Sequence, residues 1–443
     1  MKKIVFLVNG LGLGNSIRIY SIIQRLKMKN TEINVITSGN GEWFYKNLKE
    51  LKNLYFINSI HYGAKNKKIS ILNTLKMIPS IIYTLKNNST KIYHTIENIK
   101  PDVIVTDSVY VFPKIKKFSI PIVAINNSDL TVDYFKEFKN KPTDIFGQYY
   151  FIEQLDYLYH KIIPDLVISP CFLNEDIKSF DFRKKIKRVG PIFRLGLKKR
   201  KKRIERRGAI MLSGSNFGVN VNLRNSNQPF QLDIIGREKP KNYRDIKGVI
   251  FHGKIKNNIS LLNNIDFCVV NGGYSALSEL YWAKIPMIVV PVSNHSEQWV
   301  NAKQIETKGC GIIGNEDNYE NLITHLNYNF EKYEAVYDSL NIENWIILYI
   351  FFEINLIKEL GYDTNLNQYN YENNNFDIKK INIDGYSYDI PIFLISNEIP
   401  KEISKTLIRK SLYFTRSIIL NKFFIPNNLI FPKSRVIFEN YFN

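Results

Sequence analysis

Through the first three-quarters of the chain, short apolar runs end in glycine-rich or polar turns and give way to stretches of helical spacing. Lys3–Val8 reads as a buried strand, Asn9–Asn15 as a glycine-rich loop, and Ser16–Met28 as a helix through Ile19, Ile22, Ile23 and Leu26. Ile33–Thr37 is the next strand, followed by a helix near Glu42–Leu51. Residues 102–107 form a buried strand ending in Asp107, and Ile120–Ile125 another before the polar Asn126–Asp129. A second series follows: Ala209–Leu212, Gln231–Ile235, Val249–Phe251, Phe267–Val270 and Pro286–Pro291. Such alternation predicts an α/β protein with two Rossmann-like, doubly wound parallel sheets facing a cleft. From about Phe330 the pattern becomes helices, a polar loop and more helices, a mainly α-helical third domain. The predicted boundaries are 1–190, 191–327 and 328–443.

Composition adds little to this frame, but charge and cysteine usage add something. The chain has 443 residues and a net charge of +20, with 49 basic and 27 acidic groups in residues 1–330 against 12 and 14 beyond. Lys, Ile, Asn, Tyr and Phe are abundant together, as in an AT-rich genome, so part of this basicity carries no function. Eight of the ten residues Lys198–Arg207 are basic. They read as a solvated linker or as an attachment to an anionic membrane face. Nucleic acid is disfavoured there, because no aromatic residues interleave for stacking. Ile69–Leu85 is a second candidate membrane contact, although such spacing more often means a helix packed on a sheet, with Pro79 bending it. Cys171, Cys268 and Cys310 are odd in number and form no CxxC pair, which fits a reducing compartment with neither a disulfide frame nor a metal site. The apolar run Ile4–Val8 is a strand rather than a signal peptide, and no run reaches the ~18 apolar residues of a membrane span. The expected location is cytoplasmic, or peripheral on the inner membrane face.

Chemistry concentrates in NGGYSALSELYWAKIPMIVVPVSNHSEQWVNA, Asn271–Ala302. A glycine pair, Gly272 and Gly273, follows a buried strand and opens onto a helix through Tyr274 and Ser275, where free N–H groups and a dipole end suit a phosphate. The next strand empties into a loop carrying His295, Glu297, Gln298 and Asn301. In a parallel sheet both loops lie at the carboxyl edge, where ligands bind. These residues resemble the donor domain of glycosyltransferase family 28, whose motif pairs GG–(S/T)–x–x–E with EQ–x–x–NA. The resemblance implies the GT-B arrangement and an inverting transfer from a UDP-sugar to a lipid-linked or cell-envelope glycan. It implies that Glu279 binds the ribose, that Gly273–Ser275 hold the diphosphate, and that Gln298 and Asn301 meet the sugar or phosphate. By the same resemblance Ser213, Gly214, Ser215 and His252–Lys254 approach the phosphates and base, and VGPIFR, Val189–Arg194, enters the interdomain linker. The UDP-sugar is a substrate, and no separate cofactor is implied.

The loop NGLGLGNSIR, Asn9–Arg18, resembles the same family's glycine-rich loop through Gly12 and Gly14. Asn15 stands where that family usually has histidine. An amide cannot take the proton of an attacking hydroxyl, so the base falls to another group, with Asp107 the first candidate and His61 a weaker one. Asp107 also reads as a turn or cap residue. Two further readings stand beside the transferase: a sugar-nucleotide hydrolase, and a DNA-repair or scaffold protein. The last rests on Tyr349–Leu366, Tyr388–Ile395 and the final helices, which resemble the helical domain of the repair mediator RecO. That tail lacks the positive surface that DNA contact requires.

Overall fold

A computed structural model of the chain describes residues 2–26, 31–61, 63–65, 68–110, 113–172, 185–212, 230–239, 247–339, 345–359, 372–373, 378–383, 385–396 and 403–440. Two compact units emerge, Met1–Ser339 and Leu340–Asn443.

The front half of the first unit runs β1 (Lys2–Val8), α1 (Leu13–Leu26), β2 (Thr31–Thr37), α2 (Asn40–Tyr45) and β3 (Asn53–Phe56). A small hairpin, β4 (Ala64–Lys65) and β5 (Lys68–Ile69), leads to α3 (Ile71–Lys76), α4 (Ile78–Ile99) and β6 (Val103–Asp107). Then come β7 (Ile122–Ile125), α5 (Ser128–Glu137), α6 (Phe146–Gln148), α7 (Gln154–Ile162), β8 (Leu166–Pro170) and β9 (Ile186–Val189). Seven strands pair in the order β3-β2-β1-β6-β7-β8-β9, with parallel register throughout. β1 is an interior strand and its last five residues are buried, as a parallel strand with helices on both faces must be. Gly10 turns the chain out of β1 where only glycine fits, since a Cβ there would lie 1.5 Å from Ser38 O. α1 begins at Leu13, three residues before the expected Ser16, and so draws Gly14 into its first turn. The segment expected to bend at Pro79 divides at Met77 into α3 and α4, and Pro79 takes an early α4 position where its missing N–H costs nothing.

The rear half runs β10 (Arg207–Met211), β11 (Gln231–Ile234), β12 (Val249–Phe251), α8 (Ile259–Leu262), β13 (Phe267–Val270) and α9 (Tyr274–Trp282). It continues through β14 (Met287–Val289), α10 (Ser296–Thr307), β15 (Gly311–Ile313), α11 (Tyr319–Tyr328) and α12 (Phe330–Ser339). Its six parallel strands are ordered β12-β11-β10-β13-β14-β15. Ile210, Leu232, Val269 and Ile288 pack against Tyr319, Ile323, Phe330 and Tyr333. Tyr337 donates to the carbonyls of Ile285 and Cys310 at 3.1 and 3.3 Å. α12 therefore closes this half, and the boundary falls after Ser339 rather than at 327/328.

The basic run Lys198–Arg207 is anchored rather than free. Arg200 pairs with Asp266 and Glu334, Arg203 with Asp266, and Arg207 with buried Asp233. Arg206 donates to Asn327. Only the lysines of the run other than Lys199, with Ile204 and Glu205, stand exposed, so the arginines of this segment serve to hold it to the rear half.

The second unit contains α13 (Trp345–Glu359), β16 (Glu372–Asn373), β17 (Ile378–Ile383), β18 (Tyr386–Pro391), α14 (Ile392–Ser396), α15 (Lys405–Ile419) and α16 (Lys433–Asn440). A three-stranded antiparallel sheet thus joins the expected helices. Ile381, Tyr388 and Ile390 supply its inward face and pack with Ile347, Ile350 and Leu412. Arg435 grips Glu353 at 2.6 and 2.8 Å inside this core. Among the described residues, no helix of either unit is long and apolar enough to cross a membrane.

Candidate functional site

The first turns of α1 and α9 meet within the first unit. A Cβ built on Gly14 would sit 3.5 Å from Ser275 Oγ, so two helix N-termini, each following a strand's carboxyl end, converge on one place. Free N–H groups and two positive dipole ends then face the same ligand space. Gly12 and Gly14 are exposed there, Asn15 is half-buried, and Tyr274 and Ser275 are buried, with Tyr274 stacked on Phe172. Gly273 is the residue before α9 and has open space around its α-carbon. Gly272 is required by packing, because a Cβ on it would lie 2.4 Å from Gln298 O.

Two side chains expected to touch the ligand hold the protein's own backbone, and a third is engaged elsewhere. Asn301 donates to Gly272 O at 3.0 Å, and Gln298 Oε1 accepts from Val292 N at 3.0 Å. Together they fix the loops after β13 and β14 against one another. Lys254 does not face the phosphate end: its Nζ donates to Asn40 Oδ1 at 2.8 Å and lies 4.5 Å from the centroid of Trp43. Ser213, Gly214 and Ser215 lie outside the described residues.

Glu279 and Asp107 depart furthest from expectation. Glu279 is 3% exposed. Arg194 grips both its oxygens, Nε to Oε1 at 2.7 Å and Nη2 to Oε2 at 2.6 Å, and the Arg194 backbone N–H adds a third bond. The carboxylate cast as a ribose ligand is thus the buried half of a clamp between the linker and α9. Asp107 is fully buried, and Arg18 holds its two oxygens at 2.7 and 2.8 Å. Both oxygens of this carboxylate are committed to the guanidinium. Its part is to position Arg18, a residue inside the recognised loop to which sequence reasoning gave no role. His61 is exposed, outside this cluster of partners.

Sequence reasoning also missed the acidic groups on the front side of the cleft. Residues Tyr149–Glu153 form a π-helical turn between α6 and α7. Gln148 bridges the two halves: its Nε2 donates to Glu153 Oε1 at 2.6 Å, and its Oε1 accepts the Ser296 backbone N–H at 2.6 Å. Glu153, His295 and Glu297 thereby bring one ligand atom each to within 4.8 Å of one another. Burial first, then repulsion from Glu297 and Asp156, raises the Glu153 carboxyl well above its ordinary range. Burial likewise raises Glu297, against the opposing pull of Arg18. Burial pushes His295 down to about 4, so its imidazole is neutral at pH 7. Its Nδ1 is sealed from solvent and has no hydrogen-bond partner among the described residues. No local motif marks Glu153, which lies more than 140 residues from its partners.

Comparison with known proteins agrees with this geometry. Residues 2–153 match the family model for glycosyl transferase family 1, and residues 224–339 match the glycosyltransferase family 28 C-terminal domain. Curated proteins give no match. Among solved structures, Phytolacca americana UGT2 complexed with UDP-2fluoro-glucose and pterostilbene aligns with a TM-score of 0.54 at 10% identity, over 77% of this chain and 95% of that one. The spinosyn forosaminyltransferase SpnP aligns at 0.51 and 11% identity, over 77% and 95%. Arabidopsis thaliana UGT89C1 complexed with UDP aligns at 0.51 and 10%, over 77% and 94%. At such identities these neighbours establish the fold, and the two family models supply the sequence link. The chain has the GT-B fold, with glycosyltransferase family sequence in both halves of its first unit, and fold and family together support a glycosyltransferase.

Proposed function

We propose that the protein moves a sugar from a UDP-sugar to a hydroxyl acceptor presented at an anionic lipid surface, by direct displacement with inversion. The meeting of the α1 and α9 first turns at Gly14 and Ser275 carries the donor half of this reading. Two dipole ends and their free N–H groups can neutralise the charge that develops on a departing diphosphate without proton bookkeeping. Two of the structural neighbours were solved with UDP or a UDP-sugar analogue, which supports the donor class. UDP at one hundred times its dissociation constant is expected to stabilise the first unit by about 2.7 kcal/mol, read as a rise in its thermal midpoint. Gly272→Ala, which pushes a methyl into the Gln298 carbonyl, should abolish that rise. Absence of stabilisation by every nucleotide sugar would sink the reading.

The acceptor side rests on a different observation. Along the π-turn and α7, the large residues Tyr150, Phe151, Leu155, Leu158 and Ile162 are all exposed, Leu155 by 61%. Their spacing puts Phe151, Leu155, Leu158 and Ile162 on one helical face. The acidic residues of this helix, Glu153 and Asp156, turn inward, and Lys161 is exposed. Leu75, Ile78, Ile82 and Tyr83 are exposed on α3 and α4 beside Lys76 and Lys86. Apolar faces with exposed lysines beside them suit an anionic bilayer. Each buried leucine or isoleucine contributes about 1.5–3 kcal/mol, so L155E/I162E should lower partitioning onto phosphatidylglycerol vesicles at least ~10-fold in flotation. Equal binding by the variant would refute this acceptor surface.

A further inference from the structure

The glycine loop supplies no proton acceptor, because Asn15 is an amide and Asp107 commits both oxygens to Arg18. A second set of groups meets at the same cleft from opposite sides. Glu153 closes the π-turn, in which the Gln154 N–H bonds to Tyr149 O, and such turns recur at functional sites. Here the turn leaves Tyr150 and Phe151 exposed while burying Glu153. Across the cleft, His295 and Glu297 flank the first residue of α10, which Gln148 holds through the Ser296 N–H. The charged groups around the pair are Arg18 on α1, Asp107 on β6, and Asp156 with its partner His160 on α7.

We propose that Glu153 and Glu297 hold one proton between them and together take the proton of the attacking hydroxyl. This rests on the glycosyltransferase reading above. In the step, the acceptor oxygen bonds to the anomeric carbon as its proton passes to the ionised member of the pair. The bond from that carbon to the β-phosphate oxygen breaks, and its electron pair leaves with UDP. The pair begins with one proton and one negative charge and ends neutral with two protons. Two close carboxyls cannot both ionise readily, and their raised affinity for protons brings the pair toward working pH. Because one member comes from each half, the base is complete only when the halves are together.

The test uses the full chain, with UDP release measured from whichever nucleotide sugar stabilises it, and with water and an alkyl glucoside as acceptor probes. Glu153→Gln and Glu297→Gln should each lower kcat about 10²-fold or more, while UDP affinity changes less than threefold. The double variant should be little worse than either alone, as residues acting as one unit are. Glu153→Asp and Glu297→Asp, which keep a carboxylate, should retain measurable turnover and guard against loss of fold. In the wild type the acidic limb of the pH profile should lie above the ordinary carboxylate range, since the pair must lose a proton to act. Unchanged kcat in both glutamine variants would overturn the proposal. So would turnover abolished by EDTA and restored by Mn²⁺, which would make the cluster a metal site, or a wild type that binds UDP-sugar and releases no UDP. Failure to bind any nucleotide is a separate result that removes the donor reading itself.

Discussion

Arg194→Ala is expected to destabilise the first unit by about 3–5 kcal/mol, the range for removing one partner of a buried ion pair. Glu279 would be left 3% exposed without the guanidinium that holds both its oxygens, and the Arg194 bond to Asn258 would be lost as well. Glu279→Ala should cost a similar amount by stranding Arg194. Read from sequence, Glu279→Ala would abolish a UDP response and leave the fold intact. The structure reverses the order of effects, with stability falling first. Urea unfolding of each variant, followed by UDP titration well below its unfolding midpoint, separates the two. A Glu279→Ala protein as stable as wild type and unable to bind UDP would restore the ribose role.

The fold was legible because its signals are local. The apolar runs of β1, β6 and β13 and the glycines after β1 and β13 mark strand ends within a few residues. The site was legible only where it is built from such turns, at Gly14 and at Gly272–Ser275. Its partners were not, because each is made across a long separation: Arg18 with Asp107 over 89 residues, Arg194 with Glu279 over 85, and Gln148 with Ser296 over 148. A motif records which residue types occur and not which groups already satisfy them. Glu279, Gln298 and Asn301 were therefore read as ligand contacts when their hydrogen bonds go to the protein. The same blindness assigned α12 to the third domain, because its Phe330 and Tyr333 reveal their inward face only once the second sheet is in place.

Asp107→Asn should be the more decisive substitution at the glycine loop, because two readings of Asp107 predict opposite outcomes. If Asp107 were the base, the asparagine variant would fold normally and lose turnover by 10² or more. With Arg18 and Asp107 both buried and bonded at 2.7 and 2.8 Å, it should instead strand a guanidinium beneath the α1 first turn and cost about 3–5 kcal/mol. Arg18→Leu should cost as much from the other side. The double variant R18L/D107L removes both charges, and replacing a whole buried pair by apolar residues is often near neutral. Its stability should accordingly return most of the way to wild type, giving a large favourable coupling in the double-mutant cycle. Arg18 also pulls the nearby Glu297 carboxyl toward ionisation, more strongly than Asp107 pushes it the other way. In the refolded double variant the Glu297 carboxyl should hold its proton more tightly, and the acidic limb of the pH profile should shift to higher pH. Additive losses in stability, with no shift of that limb, would show that the pair neither supports the helix start nor tunes the carboxylates beside it.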